Sequence, residues 1–146
     1  MPTIPTVYLV GAGPGHPGLL TLRATECLKQ ADLVLYDKLV SPWLLDFAPS
    51  STEKRCVAEL APRHDERIVP IHDTMIEAAR AGKRVVRLKG GDPCVFGRGA
   101  EEAEVLAQAG IPFEIVPGVT AALGAAAFAG ISLTHRACSS AVAFVT

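Results

Sequence analysis

The sequence predicts an α/β fold: a mostly parallel sheet with helices on both faces. Three observations lead there. Short apolar runs alternate along the chain with stretches of helical period, the pattern of strands joined by crossover helices. The strand-like runs are apolar nearly throughout, as strands buried on both faces are. The length of 146 residues suits one domain of about 150, which can bury about two thirds of its unfolded surface.

The elements follow in order. Val7 to Val10 is an apolar run that ends in the loop Gly11-Ala12-Gly13-Pro14-Gly15-His16-Pro17-Gly18, which suits a buried parallel strand. Thr21 can cap a helix with Leu20, Ala24, Cys27, Leu28 and Ala31 on one face. Asp32 to Asp37 reads as a second strand, and Ser41-Pro42 as the start of a short helix through Phe47. Residues 50–70 read as a mobile or partner-dependent loop with a short strand near Cys56 and Val57; Arg63 to Arg67 is a dense charge cluster without period. Thr74 to Ala81 is helical, with Gly82 as its stop. Arg84 to Leu88 is a strand leading into Gly90-Gly91-Asp92-Pro93, and a helix runs from about Gly99 to Ala109. Pro112 to Val116 is the next strand, and Pro117-Gly118 turns into an alanine-rich helix ending at Gly130. Ala141 to Thr146 reads as one more strand, with no turn after it.

Composition narrows the function. Hydrophobic residues make up 49% and charged residues 20%, against a typical charged share of about 25%, which excludes a disordered tail. A net charge of −1 gives a nucleic-acid partner no electrostatic support. No apolar run approaches the ~18 residues that span a bilayer, and Met1 to Thr6 lacks the features of a signal peptide. Cys27, Cys56, Cys94 and Cys138 form no CxxC pair, so they read as reduced thiols of a cytoplasmic protein. The four histidines share no metal-ligand spacing, and no metal is expected. A mean hydropathy of +0.31 suggests a large core or a surface covered by another domain or subunit.

Ligands of parallel sheets bind beyond the carboxyl ends of the strands. Three turn-rich loops are expected at such ends: Gly11–Gly18, Gly90–Pro93 and Pro117–Ala121. Gly13 to Gly18 formally fits GxGxxG, the loop that offers backbone N–H groups to a pyrophosphate. Two of its six positions are proline, which has no N–H, and no GK[ST] follows. The loop suits a ligand with an adenosine but no phosphates.

Several motifs resemble the tetrapyrrole (corrin/porphyrin) methylases, and among them the uroporphyrinogen-III C-methyltransferases. They are Val10-Gly11-Ala12-Gly13-Pro14-Gly15; Leu35-Tyr36-Asp37-Lys38-Leu39-Val40-Ser41; the stretch from Gly82 to Pro93 with Val95-Phe96-Gly97-Arg98-Gly99; Val116-Pro117-Gly118-Val119-Thr120-Ala121; and Gly130 to Arg136. The likeness covers nearly the whole chain. It implies S-adenosylmethionine as methyl donor, S-adenosylhomocysteine as product, and methylation of uroporphyrinogen III at carbons 2 and 7 to precorrin-2, on the route to sirohaem and cobalamin. It implies cofactor contacts at Pro14, Gly90, Gly91, Asp92, Val95, Thr120 and Ala121, and Asp37 as proton acceptor. Arg87, Lys89, Arg98 and Arg136 are candidate partners for the substrate's carboxylates.

The chemistry suits these residue types. A sulfonium methyl is already activated, so transfer depends mainly on positioning. Attack by a pyrrole carbon leaves a proton to be lost, and a nearby carboxylate can take it. Glycines at 90 and 91 allow close approach of backbone to a ligand. Simpler readings stand beside these: Asp37 as a turn cap, Gly90 to Pro93 as a plain tight turn, and Arg80, Lys83 and Arg84 as a solvated face. Trp43 and Phe47 suit either core or cleft.

Two departures from the family's pattern stand out. Its glycine-lysine-arginine-x-glycine stretch, whose lysine is assigned as proton donor, is Val57-Ala58-Glu59-Leu60-Ala61-Pro62 here, with Glu59 at the lysine position. The family also has two α/β domains with the site between them, and dimerises. Residues 1–138 are expected to form the N-terminal domain and 139–146 a linker into a second domain absent from this chain. On that reading half of the cofactor contacts are missing and the chain alone is inactive. A methylase of a later corrin precursor, and a non-catalytic nucleotide-binding or interaction module of the same fold, are the competing readings.

Overall fold

A computed structural model describes residues 6–60, 63 and 68–146. Five strands form one sheet: β1 (Val7–Gly11), β2 (Leu33–Tyr36), β3 (Glu53–Cys56), β4 (Val85–Lys89) and β5 (Phe113–Val116). Their order is β3-β2-β4-β1-β5, and every pairing is parallel. The helices are α1 (Leu22–Lys29), α2 (Ile68–Arg80), α3 (Gly99–Gln108) and α4 (Ala121–Phe128).

The period-two alternation of the strands divides the core into two layers. Tyr8, Val10, Val34, Val86 and Leu88 point to one face, where Ala24, Cys27, Leu28 and Ala31 of α1 and its C-terminal end pack with Leu44. Val7, Leu9, Leu33, Leu35 and Val85 point to the other, against Ile71, Met75 and Ala79 of α2 and Leu106 of α3. The helix predicted after Thr21 buries the expected stripe, and the Thr21 hydroxyl caps it by accepting from the Ala24 N–H at 3.0 Å. Cys27 lies in this layer, where burial pushes its thiol up to about 11. The four cysteines are free.

Four boundaries differ from expectation. The helix expected from Thr74 begins at Ile68, because Pro70 falls in its first turn, where the missing N–H has no helical partner to lose. The segment expected near Cys56 and Val57 is a strand over Glu53–Cys56, with Val57 already in a 3-10 turn. Pro42–Phe47 is a 3-10 helix. Ala141 to Thr146 is not a strand: a β-ladder needs a neighbouring edge, and none of the described strands pairs with it. Of the charge cluster expected over Arg63 to Arg67, residues 64–67 lie outside the described residues, as do 61 and 62.

Met75 is fully buried between α2 and the sheet. Met75→Ala is expected to lower the unfolding free energy by roughly 2–5 kcal/mol, measured by urea denaturation, with the far-ultraviolet dichroism of the folded state unchanged.

Candidate active site

A cavity of about 950 Å³ opens beyond the C-terminal ends of the strands. Each of the five contributes: Gly13 and Pro14 after β1, Asp37 after β2, Val57 and Ala58 after β3, Gly90 and Gly91 after β4, Thr120 and Ala121 after β5. The chain leaves β1 towards β2 on one side and reaches β5 on the other. Such a reversal of direction opens a crevice at the strand ends.

Three loops meet there backbone to backbone. Gly13 and Gly91 exchange N–H···O bonds of 3.1 and 2.9 Å. A Cβ on Gly11 would lie 2.6 Å from the Gly118 nitrogen and 2.7 Å from the Gly91 oxygen, and one on Gly118 would strike the same carbonyl. No side chain fits between these strands' ends. Asp92 ties the arrangement together: its Oδ2 accepts from the Gly118 N–H at 3.0 Å and its Oδ1 from the Cys94 N–H at 2.8 Å. On α4, Gly124 faces the Pro14 ring so closely that a Cβ would sit 2.7 Å from its Cγ.

Four charged side chains form the cavity's inner wall. Leu35, Arg87 and Lys89 share the α2/α3 face of the sheet by strand alternation, and Asp37 follows β2 with the same parity. The Arg87 Nη2 donates to Asp37 Oδ1 at 2.6 Å and its Nε to Glu102 Oε1 at 2.9 Å. The Lys89 Nζ lies 2.9 Å from Glu102 Oε2. Arg87, Lys89 and Glu102 are buried, whereas the Asp37 side chain is 33% exposed. Burial opposes the charge on Arg87, yet the carboxylates of Glu102 and Asp37 outweigh it and raise its pKa. Burial, then the neighbouring Arg87, holds Lys89 below the ordinary lysine value.

The rim is more open. Lys38 and Arg98 are its exposed cations, with Arg98 paired to Glu101 at 3.0 Å. Phe96 and Arg98 both adopt left-handed backbone, at φ 54° and 56°. The turn between them is wound tightly over the Pro93 carbonyl, which accepts from the Gly99 N–H at 2.8 Å.

Of the residues singled out in the sequence, Pro14, Asp37, Arg87, Lys89, Gly90, Gly91, Val95, Arg98, Thr120 and Ala121 line this one cavity. Asp92 stands behind the lining as the loop staple. Arg136 lies exposed in the segment after α4, outside the lining, and Glu59 is exposed at the end of a 3-10 turn. Glu102 is a site residue that the motifs do not point to. A signal for it exists: Gly99, Glu102 and Leu106 form the buried stripe of α3, and an acid on such a stripe requires a buried cation opposite it.

Residues 6–146 match the model of the tetrapyrrole (corrin/porphyrin) methylases. The chain belongs to this family. A siroheme synthase of Yersinia enterocolitica is 56% identical over 140 residues, 96% of this chain and 30% of that protein. A uroporphyrin-III C-methyltransferase of Thermus thermophilus superimposes with a TM-score of 0.77 at 51% identity, over 90% of this chain and 54% of its own. A cobalt precorrin-4 methyltransferase gives 0.78 at 39% identity, over 90% and 53%. The Thermus protein has also been solved in complex with S-adenosylhomocysteine. The chain spans about a third of these curated relatives and about half of the solved structures. As a methylase-family α/β domain it carries its cavity where the three loops join.

Asp92→Ala is expected to leave the Gly118 and Cys94 N–H groups unpaired and to cost about 1–3 kcal/mol of stability. Chemical denaturation checks the loss, and hydrogen exchange checks that the amide of Gly118 becomes more labile than amides of β4.

Proposed function

We propose that this chain is the cofactor-binding part of an S-adenosylmethionine-dependent C-methyltransferase acting on uroporphyrinogen III at carbons 2 and 7, with precorrin-2 and S-adenosylhomocysteine as products. The observation that carries the reading is the convergence of the three glycine loops and Asp37 on one cavity. Within the protein as a whole we read residues 1–138 as the N-terminal domain, 139–146 as a linker, and the assembly as a cytoplasmic homodimer.

The residues suit the donor. Gly90 lines the cavity with open space where a Cβ would be, a place for a ligand to approach main chain. Pro14, Val95 and Ala121 supply apolar surface for an adenosine, and Thr120 caps α4 without using its hydroxyl on the helix. Gly90, Gly91, Thr120 and Ala121 would hold the donor through main-chain groups and this hydroxyl, with Asp92 fixing the loops that carry them. When bound, the donor supplies an activated methyl group on a sulfonium.

The remaining chemistry falls to the chain's own side chains. A ring carbon of the acceptor forms the new C–C bond while the sulfur keeps the electron pair of the broken S–C bond. The acceptor then carries a positive charge and must lose a proton. Asp37, half-buried at the cavity wall and held by Arg87, is a base within reach of that space. Arg98 and Lys38, exposed at the rim, suit the acceptor's carboxylates, whereas Arg87 and Lys89 are buried in pairs with Asp37 and Glu102. Methylation of a later corrin precursor is the second reading, favoured by the 39% identity to a cobalt precorrin-4 methyltransferase and by Glu59 at the family's lysine position.

The test is methyl transfer from radiolabelled S-adenosylmethionine by the native polypeptide that carries this chain. Uroporphyrinogen III is expected to gain two methyl groups, and Asp37→Asn to slow transfer by roughly 10²–10⁴ while S-adenosylhomocysteine binding, read by calorimetry, holds. Transfer only to a more highly methylated precursor would establish the second reading. An undiminished rate in the asparagine variant would remove Asp37 from the mechanism.

A further inference from the structure

Glu102 has no role in the chemistry above, yet it is the centre of the buried charge cluster. Its Oε1 accepts from the Arg87 Nε at 2.9 Å and its Oε2 lies 2.9 Å from the Lys89 Nζ. Arg87 also donates from Nη2, to Asp37 Oδ1 at 2.6 Å. Its Nη1 donates to the Leu88 carbonyl at 3.3 Å. The guanidinium is planar and rigid, so fixing its Nε edge also fixes where its far amino group points.

We propose that Glu102 is a positioning residue for the Asp37 carboxylate, acting through Arg87. This rests on the reading of Asp37 as the proton acceptor. Glu102 anchors the guanidinium from α3, and Arg87 holds Oδ1 while Oδ2 stays outside that pair. Glu102 also balances the two cations of β4. Without its charge, Arg87 and Lys89 both act on Asp37, drawing the carboxylate inward and stabilising its ionised form. Burial of three charges is costly and is a poor means of stabilising a fold; an arrangement that orients one partly exposed carboxylate gives the cluster a use.

The experiment compares wild type with Glu102→Gln, which keeps shape and one acceptor, in the native polypeptide. Glu102→Gln is expected to lower kcat at least tenfold with KM for both substrates within twofold, and to move the acid limb of kcat to lower pH. Lys38, His72, Arg98 and Glu101, which also surround the cavity, are common to both proteins, so the difference reports Glu102. A purely structural role predicts instead a lower melting temperature with an unmoved acid limb and an unchanged kcat per folded molecule; that result overturns the proposal. Carbon-13 NMR titration of the Asp37 carboxyl reads the same coupling without turnover. A lower midpoint in the variant supports the proposal even if wild type methylates no tetrapyrrole, and equal midpoints overturn it. Should the glutamine variant not fold, Arg87→Lys, which cannot bridge both acids with a rigid fork, is expected to show the same fall in kcat against steady KM, and an unchanged kcat in it overturns the proposal.

Discussion

Where the ends of β1, β4 and β5 converge, main chain meets main chain with no room for a side chain. Gly11 touches Gly118 and Gly91 at separations that leave no room for a Cβ, and Gly13 and Gly91 form an antiparallel bridge just past the parallel β1–β4 ladder. Everything else about the cavity depends on that contact. It brings loops distant in sequence within reach of one small molecule, and it exposes main-chain polar groups at the surface of a ligand-sized space. A phosphate-binding loop also uses glycine, but to free N–H groups for an anion. Here glycine serves loop-to-loop packing, and the two prolines of Gly13 to Gly18 offer no N–H to a ligand.

The second constraint is the parity of the strands. On β4, Val85 belongs to the apolar layer under α2 and α3, so Arg87 and Lys89 are aimed into the same layer. Two cations there would be intolerable without anions. Asp37 and Glu102 supply them from β2's end and from α3. The apolar layer thus gives way, along one strand, to a charged one that reaches the cavity, and the change occurs at the carboxyl end where ligands of parallel sheets bind.

Most of the fold is legible in the sequence because its central strands, β1, β2 and β4, are buried on both faces. The stripe of α1, the Thr21 cap and the three loops follow from period and turn chemistry. The α2 boundary does not, since a proline in the first helical turn looks the same in sequence as one that blocks a helix. The C-terminal apolar run misleads for another reason: an apolar run becomes a strand only when it pairs, and this one pairs with none of the described strands. Within the site, period-two counting over Val85, Arg87 and Lys89 already turns both cations inward, and helical counting over Gly99, Glu102 and Leu106 turns the acid to meet them. Read by motif alone, those cations look like partners for substrate, because a charged residue near a binding loop suggests a ligand before it suggests a buried ion pair.

A carboxylate held by an arginine is a weak base, which at first sight suits a proton acceptor poorly. The proton in question, however, would come from an acceptor that has just become cationic by forming a bond to carbon, and such a proton is acidic. A stronger base would gain little there and would itself be protonated more often before reaction. What the step demands is a carboxylate that is ionised at neutral pH, fixed in direction and only partly dry. Arg87 fixes the direction of the Asp37 carboxyl group, and the 33% exposure of that side chain leaves it partly wet. Glu59, where the family's pattern has a lysine, is exposed at the end of a 3-10 turn and outside the cavity lining. The buried charge cluster lines the cavity, and Glu59 does not.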